Sequence, residues 1–90
     1  MNHLKLFEQF LNEYNDDTEV WVHIKWRGND TLCTLNKIGN KWTETHESGP
    51  ELPDFGRTYL GMPIDNVIKN LNNRYDSAKI VTEEEALELI

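Results

Sequence analysis

The sequence predicts an α+β domain in which a three- or four-stranded antiparallel sheet has helices packed on one face. Three patterns predict this class: a helical apolar repeat over residues 3–14, strict alternation over 18–27, and a second helical repeat after residue 63. Turn sequences rich in glycine and asparagine separate the strands. Ninety residues leave room for a single domain, 1–90, in the order helix, three strands, helix, short strand candidate, helix.

The first predicted element is an amphipathic helix over residues 3–14. Apolar side chains recur there at steps of three and four residues, which places them on one helix face. This face comprises Leu4, Phe7, Phe10, Leu11 and Tyr14. The helix is expected to end near Asn15, before two aspartates.

The second element is a hairpin whose first strand alternates over residues 18–27. Its apolar side comprises Val20, Val22, Ile24 and Trp26, and its other side comprises Trp21, His23 and Lys25. A two-residue turn at Gly28–Asn29 opposes Ile24 to Cys33 and Val22 to Leu35. Opposed residues share a face, so Cys33 is predicted to be a small buried apolar residue and not a nucleophile.

The register of the third strand, over residues 41–47, is left open by the sequence. A two-residue loop at Gly39–Asn40 opposes Lys37 to Trp42 and places Trp42 on the core face. A three-residue loop opposes Ile38 to Trp42 and places it on the far face. The two-residue loop is favoured because Gly-Asn suits a tight turn.

The remaining elements follow a long irregular segment, residues 48–61, which holds two of the three prolines and three of the five glycines. Loops of this length often carry function, and either Phe55 or Tyr59 is expected to anchor it. A helix begins at Pro63, residues 78–81 are the fourth-strand candidate, and Thr82 with Glu85 forms a capping box for a last helix. The predicted core comprises Leu4, Phe7, Phe10, Leu11, Val20, Val22, Ile24, Cys33, Leu35, Ile64, Val67, Ile68 and Leu71.

Motifs for catalysis are missing from the sequence. It contains no Gly-rich phosphate loop, HExxH, CxxC or GxSxG pattern, and its single cysteine excludes an intramolecular disulfide. His23 and Cys33 fall on opposite predicted faces, which separates the most obvious pair of metal ligands. No cofactor, no metal site and no enzymatic activity are therefore predicted.

Charge is distributed unevenly along the chain. The formal net charge is −7, yet residues 20–43 carry four basic residues against one acidic residue and contain all three tryptophans. The acidic residues form two clusters: Glu44, Glu47, Glu51 and Asp54 in one, and Glu83, Glu84, Glu85 and Glu88 in the other. Such clusters either keep a small domain soluble or present negative charge to a basic partner.

The leading hypothesis is a non-enzymatic module that binds a basic protein partner as an inhibitor or regulator, imitating nucleic-acid charge. Its predicted contact residues are Glu44, Glu47, Glu51, Asp54, Trp21, His23 and Lys25. One alternative is a nucleic-acid contact through the basic, tryptophan-bearing hairpin, which the acidic net charge disfavours. Another is a small enzyme or ligand-binding protein with a pocket under residues 52–61.

Composition also bears on location and origin. The sequence has no secretory leader and no apolar run near twenty residues, so we expect a cytoplasmic protein without membrane contact. Ten asparagines indicate an AT-rich coding source such as a low-GC bacterium or its phage. An exposed sheet edge would permit a homodimer.

Overall fold

The computed structural model describes residues 18–89 as an antiparallel sheet of five strands with two helices. The strands are β1 (Thr18–Trp26), β2 (Asn29–Ile38), β3 (Lys41–Ser48), β4 (Thr58–Leu60) and β5 (Ser77–Val81), and the helices are α1 (Ile64–Arg74) and α2 (Glu83–Leu89). The strand order across the sheet is β4-β3-β2-β1-β5. The α+β class is confirmed, with one strand more than the upper predicted count. The predicted helix over 3–14, with Leu4, Phe7, Phe10 and Leu11, lies outside the described residues.

The first hairpin turns one residue earlier than the sequence predicted. Trp26 pairs with Asn29, so the turn residues are Arg27 and Gly28, with φ of 53° and 81°. Two positive φ values characterise a type I′ turn, whose twist matches that of the flanking strands. Each predicted pair is therefore wrong by two residues, and Val22 faces Cys33. An even shift leaves every side chain on its predicted face.

The second turn takes the favoured register. Lys37 pairs with Trp42 across Gly39–Asn40, and Trp42 is buried at 1% exposure on the core face. The additional strand, β4, lies within the segment predicted to be irregular and pairs with the start of β3. The N–H of Gly61 closes this pairing by donating to the carbonyl of Asn40 at 2.7 Å.

The two described helices pack on opposite faces of the sheet, so the prediction of helices on one face was wrong. Val67 and Leu71 of α1 join the main core, which we call the α1 face; its strand residues are Val20, Val22, Ile24, Cys33, Leu35, Trp42, Tyr59 and Ala78. Ala86 of α2 packs on the other side, the α2 face, with Leu32, Val81 and the half-buried Trp21. That face carries apolar residues of its own, and α2 covers them.

The predicted helix start, aromatic anchors and capping box in the second half of the chain are largely confirmed. Pro63 precedes α1 with φ of −67°, and the two aromatic residues of the long segment, Phe55 and Tyr59, both contact the core. Of the predicted core residues in α1, Val67 and Leu71 are buried, whereas Ile64 and Ile68 are half-buried. The capping box forms: Thr82 N–H donates to Glu85 at 2.9 Å, and Glu85 N–H donates to Thr82 Oγ1 at 3.1 Å.

Stability at alkaline pH should depend on Cys33. Burial, followed by the negative charges of Glu44 and Glu47, raises the pKa of the Cys33 thiol to about 12. The thiol ionises in the unfolded chain near its ordinary value, so folding stability is complete below that value and is lost as pH rises beyond it. Between pH 9 and 10 this thiol should cost about 1 kcal/mol of unfolding free energy.

The measurement is urea unfolding at several pH values for the natural protein and for Cys33→Ala. The variant should start about 1 kcal/mol less stable, because a small cavity forms, and should lack this part of the alkaline loss. Identical pH profiles for the two proteins would contradict the assignment.

Gly49 should tolerate no side chain. Its φ is +92°, and a Cβ there would lie 2.5 Å from the carbonyl oxygen of Asp30 and 3.0 Å from the Cα of Thr31. Gly56 has a similar φ of +97° with open space around it. Gly56→Ala should therefore cost about 1–2 kcal/mol from backbone strain alone. Gly49→Ala should cost about 1–3 kcal/mol more, from the clash. Equal losses in chemical denaturation would contradict the close approach.

Candidate partner-binding site

Glu44 belongs to the interior, although it was expected among the contact residues that present charge to a partner. Its side chain is fully buried and both oxygens are occupied. Oε1 accepts the backbone N–H groups of Gly56 and Arg57, each at 3.0 Å. Oε2 accepts from the guanidinium of Arg74 and from the hydroxyl of Tyr59. Glu44 therefore cannot offer its charge to a partner in this conformation.

The same network holds the long loop against α1. Arg74, the last residue of α1, also donates to the carbonyl of Asp54 at 2.7 Å and to Asn70 Oδ1 at 3.1 Å. Burial, followed by the hydrogen bond to Glu44 and its charge, raises the pKa of the Tyr59 phenol above its ordinary value. Tyr59 thus remains a neutral donor to the buried carboxylate.

The other predicted acidic residues of this cluster remain exposed but lie apart. Asp54 has its carboxylate 3.3 Å from Arg57, and Glu47 accepts a hydrogen bond from Thr34 on the α2 face. Glu51 borders a cleft of about 170 Å³ under the loop, together with His46, Leu52 and Phe55. The structure therefore divides the predicted acidic cluster between the interior, the α2 face and the loop.

The predicted hairpin residues share the α2 face, as their alternation requires. His23 and Lys25 both approach the carboxylate of Asp30, at 2.8 and 3.6 Å. The hydrogen bond from His23, ahead of the charge of Lys25, lowers the pKa of Asp30. This carboxylate offsets part of the basic charge that the sequence assigns to the hairpin.

The three tryptophans do not share a surface. Trp21 is half-buried on the α2 face, whereas Trp42 is buried on the α1 face. Trp26 also lies on the α1 face, where its ring meets Tyr75 edge to face at 5.6 Å and Arg27 stacks on it at 5.1 Å. A row of exposed aromatic rings, which single-stranded nucleic acid needs for stacking, is not formed by these residues.

The structure brings together a second set of residues that the sequence did not single out as a group. An open cleft of about 460 Å³ is lined by Glu19, Val20, Trp21, Ile80, Val81 and Glu83. Val20 and Trp21 are adjacent in β1 and point to opposite faces, so the cleft opens at the edge of the sheet. We call it the edge cleft.

The edge cleft combines an apolar floor with an acidic rim. Trp21 is half-buried and Ile80 is 44% exposed, while the rim residues Glu19 and Glu83 are exposed. Among residues 18–89, neither rim carboxylate forms an ion pair. Glu84 and Glu88 add exposed negative charge from α2, whereas Glu85 is engaged in the capping box.

This arrangement suits the side chain of a lysine or arginine. The aliphatic stem of such a side chain packs on apolar surface while its charged end stays in water near carboxylates. An indole ring adds attraction for a cation placed over its face. The sequence signalled this site only through the charges of Glu19 and Glu83. That these residues lie close to Trp21 depends on where β5 ends.

Comparison of the chain with protein-family models, with curated proteins and with solved structures found no match. Among residues 18–89, no group of three or more His, Cys, Asp or Glu side chains is placed to hold a metal ion. Neither helix in this range has the length and apolar character needed to cross a membrane.

Neutralising the buried Glu44 should destabilise the protein far more than neutralising an exposed glutamate. Glu44→Gln leaves the guanidinium of Arg74 without its anionic partner in a mostly buried setting, so we expect a loss of about 3–5 kcal/mol. Glu51→Gln, an exposed position in the same sequence cluster, should change stability by less than about 0.5 kcal/mol. Chemical denaturation measures both, and similar small losses would contradict the interior placement.

Proposed function

We propose that this protein is a non-enzymatic interaction module that binds a basic protein partner through the edge cleft, as an inhibitor or regulator. The observation that carries the proposal is the meeting of Glu19 and Glu83 beside Trp21 and Ile80. Exposed carboxylates next to exposed apolar surface bind cationic side chains by charge and by burial together. Glu84 and Glu88 extend the negative field along α2.

The net charge of −7 also supports this proposal, through the long-range electric field that it creates. A negative field speeds encounter with a basic partner and acts over about 8 Å at physiological salt. Exposed ion pairs contribute only about 0.2–1 kcal/mol each, so affinity also requires the apolar floor of the cleft. Charge would then raise the association rate and select basic partners. Trp21 and Ile80 would provide the apolar contact area.

The two alternative functions draw less support from the described residues. A nucleic-acid contact lacks an aromatic row, and Asp30 offsets the positive charge of Lys25. A ligand pocket under the loop has a volume of about 170 Å³, small for a metabolite site. The same edge cleft would repel nucleic-acid phosphates.

The test compares two double variants with the same change in net charge. Glu19→Lys with Glu83→Lys alters the edge cleft, and Glu47→Lys with Glu51→Lys alters exposed carboxylates elsewhere. Binding of a fluorescein-labelled hexalysine peptide is followed by fluorescence anisotropy at two salt concentrations. The first variant should bind about tenfold more weakly, the effect of roughly 1.4 kcal/mol from two lost attractions that become repulsions.

The second variant should lose about twofold or less, and higher salt should weaken every interaction that remains. Circular dichroism checks that both variants fold. Equal losses in the two variants would show that only net charge matters and would reject the edge cleft as the binding site.

A further inference from the structure

The edge cleft occupies the path that β5 would follow if it were longer. The pairing of β1 with β5 ends at Trp21 and Val81, whereas β1 continues to Thr18 on the side of β2. After Val81 the chain leaves the sheet and enters α2 at Glu83. The position beside Glu19, where a strand would continue the ladder, is therefore not filled by β5.

The backbone of Glu19 points toward this position, which no strand among the described residues occupies. In a two-residue hairpin the pair that flanks the turn, Trp26 and Asn29, exchanges hydrogen bonds, so the even residues of β1 bond to β2. The odd residues then direct their N–H and C=O groups to β5, and Trp21 is the last that β5 reaches. Glu19 is the next odd residue, beyond the end of β5.

An independent contact agrees with this orientation. The side-chain amide of Asn72, in α1, donates to the carbonyl of Ala78 at 2.9 Å and accepts from the Ala78 N–H at 2.9 Å. Ala78 faces Ile24, an even residue, and its backbone therefore points away from β1. The Asn72 amide also covers the outer edge of β5 at this point, where an added strand would otherwise pair.

We propose that the partner enters the edge cleft as a short extended segment that pairs with the backbone of Glu19 and continues the path of β5. This proposal rests on the proposed function and specifies its geometry. Main-chain hydrogen bonds supply affinity in strand addition, and alternate side chains supply specificity. The partner residue opposite Glu19 shares its face, so a lysine or arginine there lies beside the Glu19 carboxylate and near Glu83.

The neighbours of that basic residue point to the other face, beside Val20 and Ile80. Apolar residues fit there, because Ile80 is 44% exposed and would be covered. The recognised segment is therefore an extended stretch in which one basic residue lies between two apolar residues.

The test uses three capped peptides: Gly-Val-Lys-Val-Gly, the same peptide with a methylated lysine backbone nitrogen, and Gly-Val-Glu-Val-Gly. Titrations into the ¹⁵N-labelled protein are followed by the amide resonance of Glu19 and the indole resonance of Trp21. The lysine peptide should shift both resonances and slow hydrogen exchange at the Glu19 amide. Methylation removes the N–H that would donate to the Glu19 carbonyl and should weaken binding at least fivefold. The glutamate peptide should bind at least fivefold more weakly than the lysine peptide.

Two protein variants complete the design. Glu19→Gln loses the carboxylate and retains the backbone N–H, whereas Glu19→Pro loses both. Proline at this position removes no hydrogen bond to β5, because β5 ends before it. The proline variant should bind the lysine peptide at least threefold more weakly than the glutamine variant.

The outcomes distinguish the two proposals. Equal binding of methylated and unmethylated lysine peptides, with Trp21 shifting, would overturn strand addition and leave the proposed function standing. Slowed hydrogen exchange at the amides of Thr58 and Leu60 in β4, and not at Glu19, would place the added strand at the other edge of the sheet. That result would also overturn strand addition beside Glu19. No perturbation by any peptide would overturn both proposals.

Discussion

The buried pair of Glu44 and Arg74 is the interaction on which the rest of the described structure depends. It joins the middle of β3 to the end of α1, and the N–H groups of Gly56 and Arg57 bring the long loop to the same carboxylate. A buried ion pair is favourable only when its remaining hydrogen-bonding groups are satisfied, and here both carboxylate oxygens have two donors each. The loop is therefore attached to the core through its backbone, with little freedom to serve as a mobile binding arm.

This constraint also determines where negative charge remains at the surface. Glu44 is withdrawn to the interior and Asp54 lies beside Arg57, so the loop keeps fewer carboxylates for a partner than its composition indicates. Glu19 of β1 and Glu83 of α2 are both exposed and meet at the edge cleft. That meeting follows from two local facts: β5 stops at Val81, and the capping box of Thr82 starts α2 immediately afterwards.

The sequence was sufficient for the described elements other than β4 and for the faces of β1 and β2, because alternation does not depend on the exact pairing. It also contained the information needed to bury Glu44: the favoured register puts Trp42 on the core face, and Glu44 follows two residues later on the same strand. Its partner Arg74 lies thirty residues further along the chain, and no local pattern connects them. The positive φ of Arg27 and the separation of the helices onto two faces depend on tertiary packing in the same way. The edge cleft required the relative lengths of β1 and β5, which differ by four residues and which apolar patterns do not resolve.

The proposed binding of cationic groups beside Trp21 can be measured directly, because the three tryptophans report on different parts of the protein. Their indole N–H resonances can be followed in one spectrum while hexalysine is added to the ¹⁵N-labelled protein. Trp21 lines the edge cleft, whereas Trp42 is buried and Trp26 packs against Tyr75 on the opposite face. Binding at the edge cleft predicts a saturable shift of the Trp21 resonance, with the resonances of Trp26 and Trp42 unchanged. A stationary Trp21 resonance, with shifts confined to amides of the loop from residue 49 to 57, would contradict it.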